Sequence, residues 1–157
     1  MEERIIIDEL KKLMNKAIKH NEVPVACIIT KDNKIIAKSY NKTVKTNNIL
    51  DHAEIIAIKK ASKKLNNWRL NNCKLYVSLE PCDMCKEIIK KSRISEVIYY
   101  SEQNEHKTEK DVDYIYKANN NISNLLTNFF KSIRWWAMFH VKRCLFLQKI
   151  FPGKYFN

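Results

Sequence analysis

One glycine, Gly153, stands in a chain of 157 residues. Turns and helix ends that need positive φ must therefore draw on Asn or Asp, the other residues that tolerate that region. No stretch rich in Pro, Gly or Ser separates one part of the chain from another, and no internal repeat is present, so a single main domain is expected. No apolar run approaches the roughly 20 residues of a spanning helix, so a membrane partner is not expected. The opening "MEERIIIDELKKL" is charged and heptad-like, unlike a secretory leader. The cysteines number five, an odd count, and Cys27 falls inside an apolar run. Both features argue against a secreted disulfide framework and for a reducing cytoplasm.

Acid is also scarce. The chain carries 29 Lys and Arg against 17 Asp and Glu, a net charge of +12. Half of that excess lies in 129–157, which holds Lys131, Arg134, Lys142, Arg143, Lys149 and Lys154 and no acid. Such a surplus favours a polyanionic partner. Hydrophobic residues make up 45% and charged residues 29%, the balance of a folded globular chain.

Periodicity divides the first hundred residues clearly. Residues 3–19 carry Ile6, Leu10, Leu13, Met14, Ala17 and Ile18 at helical spacing. "VPVACIIT" (23–30) reads as a buried strand, "KDNK" (31–34) as a turn and "KIIAKSY" (34–40) as the returning strand of a hairpin. Residues 41–51 read as polar loop. "HAEIIAIKKASKKL" (52–65) predicts a helix, and "CKLYVSL" (73–79) a buried strand. Pro81 sits at a helix entry, 82–92 form the next helix, and "EVIYY" (96–100) is the fourth strand. This order implies a layered α/β domain with crossover helices between the later strands. After residue 101 the signal weakens; "VDYIY" (112–116) is the strand candidate there, and 124–131 look helical.

The chemistry gathers at two short motifs. Cys82 and Cys85 form a Cys-x-x-Cys pair, which alone suits a metal clip, a redox pair or core filler. Upstream, His52–Ala53–Glu54 opens the second long helix. One imidazole and two thiolates on the first turns of two helices leave a fourth position free, the composition of a catalytic zinc site. Helix N-termini favour thiolate at Cys82 and Cys85. Glu54 need not bind metal; from the same first turn it is placed to carry protons between a zinc-activated water and a substrate. Singly, each residue has a bland reading: a core histidine, a dipole-complementing glutamate. Together, H-x-E followed by P-C-x-x-C is the known signature of zinc nucleobase deaminases.

At these residues the chain resembles the bacterial tRNA-specific adenosine deaminases of the cytidine deaminase-like superfamily. The likeness extends in order through "EVPVACIIT" (22–30), "YNKTV" (40–44), "DHAEIIAI" (51–58), "NNWRL" (66–70), "LYVSLEPCDMC" (75–85) and "KSRISEVIY" (91–99), and more loosely through "LLTNFFKSIR" (125–134). The resemblance implies a three-layer α/β/α fold around a mixed sheet of about five strands. It implies one zinc per chain on His52, Cys82 and Cys85, and Glu54 as the proton shuttle. Asn41 would bond the purine ring and the backbone of Ala53 would touch the base. The implied reaction converts adenosine to inosine at the wobble position of a tRNA anticodon loop, typically an arginine tRNA, by a homodimer.

The chain departs from the family at three places. Ala26 replaces a favoured Gly, "YSEQN" (100–104) replaces a Gly-containing loop, and the segment from 101 to 125 is short, with 112–116 as its candidate fifth strand. Residues 1–134 are therefore read as the deaminase domain and 135–157 as a divergent basic, aromatic tail. Of an RNA-binding extension, an interfacial helix and a readthrough segment, the last ranks first, because the tail shares no core periodicity. Two other functions remain open: deamination of free guanine, cytosine or nucleosides with the same zinc kit, and an impaired structural homologue that keeps zinc only for stability.

Overall fold

The computed structural model describes residues 3–101 and the strand at 116–118, all within one compact unit, Met1–Asn120. The expected helix at 124–131, the tail at 135–157 and the rest of 102–125 lie outside the described residues.

The elements run α1 (Glu3–Lys19), β1 (Ala26–Lys31), β2 (Lys34–Tyr40), α2 (Thr43–Thr46), α3 (Ala53–Leu65), β3 (Cys73–Val77), α4 (Asp83–Lys91), β4 (Glu96–Tyr99) and β5 (Tyr116–Ala118). The five strands form one sheet in the order β2-β1-β3-β4-β5. β1 is antiparallel to both neighbours, while β3, β4 and β5 run parallel. The mixed five-stranded sheet of the expected fold is present. Its fifth strand is described at Tyr116–Ala118, which meets the expected 112–116 at Tyr116; 112–115 lie outside the described residues. A parallel edge strand is located by its pairing with β4, which local sequence does not reveal.

Alternation along β1 sends side chains to two faces. Cys27 and Ile29 join Leu75, Val77 and Val97 in a core capped by Ala57, Ile58 and Ala61 of α3 and by Cys85 and Ile89 of α4. Ala26 and Ile28 point to the opposite face, where α1 contributes Ile6, Leu10, Met14 and Ala17, all fully or almost fully buried. Helices thus cover both sides of the sheet, giving three layers.

The shortage of glycine is met as the sequence requires. α1, α2 and α3 each end with an Asn in the left-handed region: Asn21 (φ 57°), Asn47 (φ 50°) and Asn66 (φ 47°). Each is followed by a residue whose N–H reaches back to the last turn, Glu22 to the Ala17 carbonyl, Asn48 to Thr43 and Asn67 to Ser62. These are Schellman closures with Asn in glycine's place. Asp32 and Asn33 (φ 47° and 56°) make the two-residue turn joining β1 to β2.

The helix-end exception is Arg93, which follows α4 at φ 60°. A β-carbon there costs roughly 1–2 kcal/mol. Arg93 is exposed, and its guanidinium lies 5.8 Å from the Trp68 ring centroid, a weak contact beside the 4.1 Å approach of Arg69. Arg93→Gly is therefore expected to raise Tm by about 1–4 °C, from a relief of about 0.5–1 kcal/mol. A lower melting temperature in a thermal scan would show that the Arg93 side chain outweighs the backbone.

One edge of the sheet assembles the ends that matter. Ala26, at the start of β1, pairs with Tyr40 at the end of β2, and Cys27 pairs with Val77 at the end of β3. Asn41, the 78–82 segment and the first turn of α3 consequently meet at this edge.

Candidate active site

His52 and Cys82 are the N-cap residues of α3 and α4, with extended backbone (ψ 151° and 166°) and no side-chain cap bond. An N-cap side chain normally turns back to bond the first-turn N–H groups. Here both side chains turn toward each other. Cys85 lies one turn further along α4 and is fully buried.

His52 Nδ1 lies 3.7 Å from Cys82 Sγ and 3.5 Å from Cys85 Sγ. All three ligand atoms fall within 4.8 Å of one another, and they are the metal-ligating cluster found among the described residues. A tetrahedral zinc with typical bonds to sulfur and nitrogen sets an N···S edge of about 3.6 Å. The three groups fit such an ion in both chemistry and spacing. The predicted triad is therefore brought together in full.

The two sulfurs depend on each other. The Cys85 thiol donates to Cys82, which lowers Cys82 to about 5 despite opposing desolvation; the His52 ring adds a smaller lowering. The same hydrogen bond, followed by burial, raises Cys85 well above the ordinary thiol range. Both sulfurs would be held as thiolates by a bound metal, so binding would release protons.

Glu54 occupies the first turn of α3 and is 4% exposed. Burial pushes its carboxyl up to about 7, outweighing its backbone hydrogen bond and the nearby His52. A carboxyl at that value can take or release a proton near neutrality. Cys27, fully buried on β1, is raised first by desolvation and then by the Glu54 charge, so it remains a thiol.

The remaining expected site residues lie on the same edge. Asn41 is 6% exposed, and its N–H donates to the Val25 carbonyl. Ala53 is 0% exposed, and its carbonyl accepts from Ser39 Oγ. Ala26 is fully buried, donates to Ser78 Oγ at 2.9 Å and accepts from the Ser78 N–H at 3.0 Å. It is not among the positive-φ residues, so its backbone does not require the glycine that the family favours.

The sequence reading missed Glu22, Ser39 and Thr43. Glu22 is 2% exposed and accepts from the N–H groups of Val44 (3.1 Å) and Lys45 (2.7 Å). Its signal was an acid immediately before an apolar, strand-like run. Ser39 and Thr43 carried none.

A family model described as MafB19-like deaminase matches residues 1–134. The tRNA-specific adenosine deaminase of Streptococcus pyogenes serotype M18 (strain MGAS8232) is 38% identical over 98 residues, covering 62% of this chain and 62% of that protein. The chain thus spans about three-fifths of the length of that relative. The tRNA-specific adenosine deaminase of Aquifex aeolicus is 36% identical over 132 residues, covering 76% of this chain and 87% of that protein. A solved structure from studies of A-to-I editing by tRNA:A34 deaminases is 28% identical, with a TM-score of 0.66; it covers 75% of this chain and 100% of that one. With H-x-E and P-C-x-x-C folded into one cluster and the model match running from residue 1 to 134, the chain belongs to the MafB19-like deaminase family, within the cytidine deaminase-like superfamily.

Proposed function

We propose that this chain is a zinc-dependent deaminase that converts adenosine to inosine at the wobble position of a tRNA anticodon loop. The observation that carries the reading is the pairing of a cluster of three ligands among the described residues, His52, Cys82 and Cys85, with a buried carboxyl, Glu54, beside it. A site that held metal only for stability would have no use for a desolvated acid beside its ligands. The names of the relatives support adenosine in tRNA as the target, and the net charge of +12 supports a polyanionic carrier for it.

One zinc on His52, Cys82 and Cys85 supplies the Lewis acidity that makes water nucleophilic near neutral pH. Glu54 does the proton work. It accepts a proton as water adds at C6 and returns it to the ring nitrogen. It then carries a second proton from the new C6 hydroxyl to the amine, which leaves as ammonia as the C6 carbonyl of inosine forms. The first turn of α3 fixes its distance to the ligand His52, two residues before it. Ala53 lies between them and would meet the base through its backbone, with Asn41 at the facing strand end.

The same reading takes an arginine tRNA as the partner, a homodimer as the assembly and the cytoplasm as the compartment. Among the described residues no helix is long and apolar enough to cross a membrane. Residues 135–157 are kept apart from the deaminase domain, which is consistent with a family match ending at 134.

Substrate class is tested by salt. A loop adenine must be splayed from its stack, and its flanking phosphates place it. Single-stranded contacts give a log–log slope of about −0.7 per phosphate neutralised. Turnover on an anticodon stem-loop should therefore fall steeply between low and moderate salt, while free adenosine, cytidine and guanine remain poor substrates throughout. Processing of free guanine or cytosine as fast as the stem-loop, without salt dependence, would replace this reading with a free-base deaminase.

A further inference from the structure

Glu22 is a buried acid that the proposed reaction does not use. It follows the left-handed Asn21 that closes α1 and is 2% exposed. Oε1 accepts from the Lys45 N–H at 2.7 Å. Oε2 accepts from the Val44 N–H at 3.1 Å, from Asn41 Nδ2 at 3.4 Å and from Thr43 Oγ1 at 3.5 Å. Two of these donors are first-turn N–H groups of α2, which otherwise lack partners within the helix. Capping alone would explain those two bonds. It does not explain the approach to Asn41.

Asn41 Nδ2 also donates to Thr43 Oγ1 at 3.0 Å. An amide nitrogen carries two hydrogens, so both are engaged within the protein. The flipped amide would set Oδ1 against the Glu22 carboxylate, acceptor against acceptor. The orientation is thereby fixed, and Oδ1, which has no protein partner among the described residues, remains as the available group. Asn41 directly follows Tyr40, which pairs with Ala26, at the edge that also carries the ligand-bearing segments.

We propose that Glu22 is a positioning residue: through Nδ2 it holds Asn41 so that Oδ1 faces the target nucleoside as a hydrogen-bond acceptor. This rests on the reaction proposed above and replaces the expected bond from Asn41 to the purine ring with a contact to a donor outside the ring. The ring nitrogens N1, N3 and N7 of adenine only accept. Oδ1 therefore meets a donor of the nucleoside, either the exocyclic amine or a ribose hydroxyl. The first selects an aminopurine, and the second selects RNA over DNA.

The test compares zinc-loaded wild type, Glu22→Gln, Asn41→Ala and the double variant. The substrate is an anticodon stem-loop carrying adenosine or 2′-deoxyadenosine at the target. Glu22→Gln replaces an all-acceptor group by one that brings its own N–H donors. It should lower kcat/KM by about 5–30-fold, mostly through KM, with zinc content unchanged. Asn41→Ala should lose a similar factor, and the double variant no more than Asn41→Ala alone, because both remove one contact. Losses that multiply, or wild-type kinetics in Glu22→Gln, overturn the proposal. A merely structural cap would instead lower Tm and act additively with Asn41→Ala.

The deoxy substrate separates the two donors. A penalty in wild type that vanishes in Asn41→Ala assigns the ribose hydroxyl; an equal penalty in both assigns the amine. If wild type acts on a free base and not on the stem-loop, the reaction is misassigned, while the same cycle on that base still judges Glu22. A readout free of turnover is the Asn41 side-chain NH2 signal by NMR. It should shift and exchange faster in Glu22→Gln, and an unchanged signal counts against the proposal.

Discussion

Glu54→Gln is expected to bind zinc and RNA as wild type does and to make almost no inosine. The substitution conserves shape and volume, so the first turn of α3 and the neighbouring His52 should stay in place. What it removes is the only property that burial has tuned. The carboxyl is 4% exposed and is pushed up to about 7, so it exchanges a proton with little driving force in either direction. An amide cannot take part in that exchange. A single general acid–base group typically contributes about 10²–10⁴-fold, and more when it serves several transfers in one turnover. Single-turnover formation of inosine, with zinc content and stem-loop affinity measured on the same sample, decides the matter. A rate within tenfold of wild type would move the proton transfers to another residue. A rate loss accompanied by loss of zinc would instead make Glu54 part of the metal site.

How far that assignment could be read beforehand depends on which forces are local. α1 and β2 appear at their expected bounds, because amphipathic spacing and hairpin alternation act within a dozen residues. His52, Cys82 and Cys85 were legible for a related reason: each belongs to a helix start, and helix starts have a sequence grammar. β1 begins at Ala26 rather than at residue 23, since Pro24 has no N–H and Val25 bonds back to the Val23 carbonyl. The 41–51 segment contains α2, which its four residues, Thr-Val-Lys-Thr, gave no reason to expect. That helix is capped by Glu22, more than twenty residues upstream. Its cause is tertiary, so neither the helix nor the role of Glu22 was visible locally. Asn41 was reached only by resemblance, and the orientation of its amide only through the contacts of folded neighbours.

The metal itself gives the second large effect. Cys85→Ala is expected to reduce zinc from about one per chain to near none, and to lower the melting temperature of the purified protein. His52 and Cys82 alone cannot complete the coordination that a tight zinc site requires. Because ligands come from two helices, α3 and α4, a bound ion ties together elements that are far apart in sequence. Binding free energy therefore appears as folding free energy. An ion present at a thousand times its dissociation constant adds about 4 kcal/mol, or roughly 8–16 °C for a chain of this size. Chelator-stripped wild type should melt close to Cys85→Ala, and that variant should not respond to chelator at all. Cys73→Ala is the control, since Cys73 is also fully buried but opens β3 at its other end, so zinc should remain. The core formed by Cys27, Ile29, Leu75, Val77 and the faces of α3 and α4 does not need the ion to be apolar. The stripped chain is thus expected to remain folded at low temperature rather than to collapse as a zinc finger does. Full zinc content in Cys85→Ala would remove Cys85 from the ligand set, and with it the three-ligand geometry on which the proposed deamination stands.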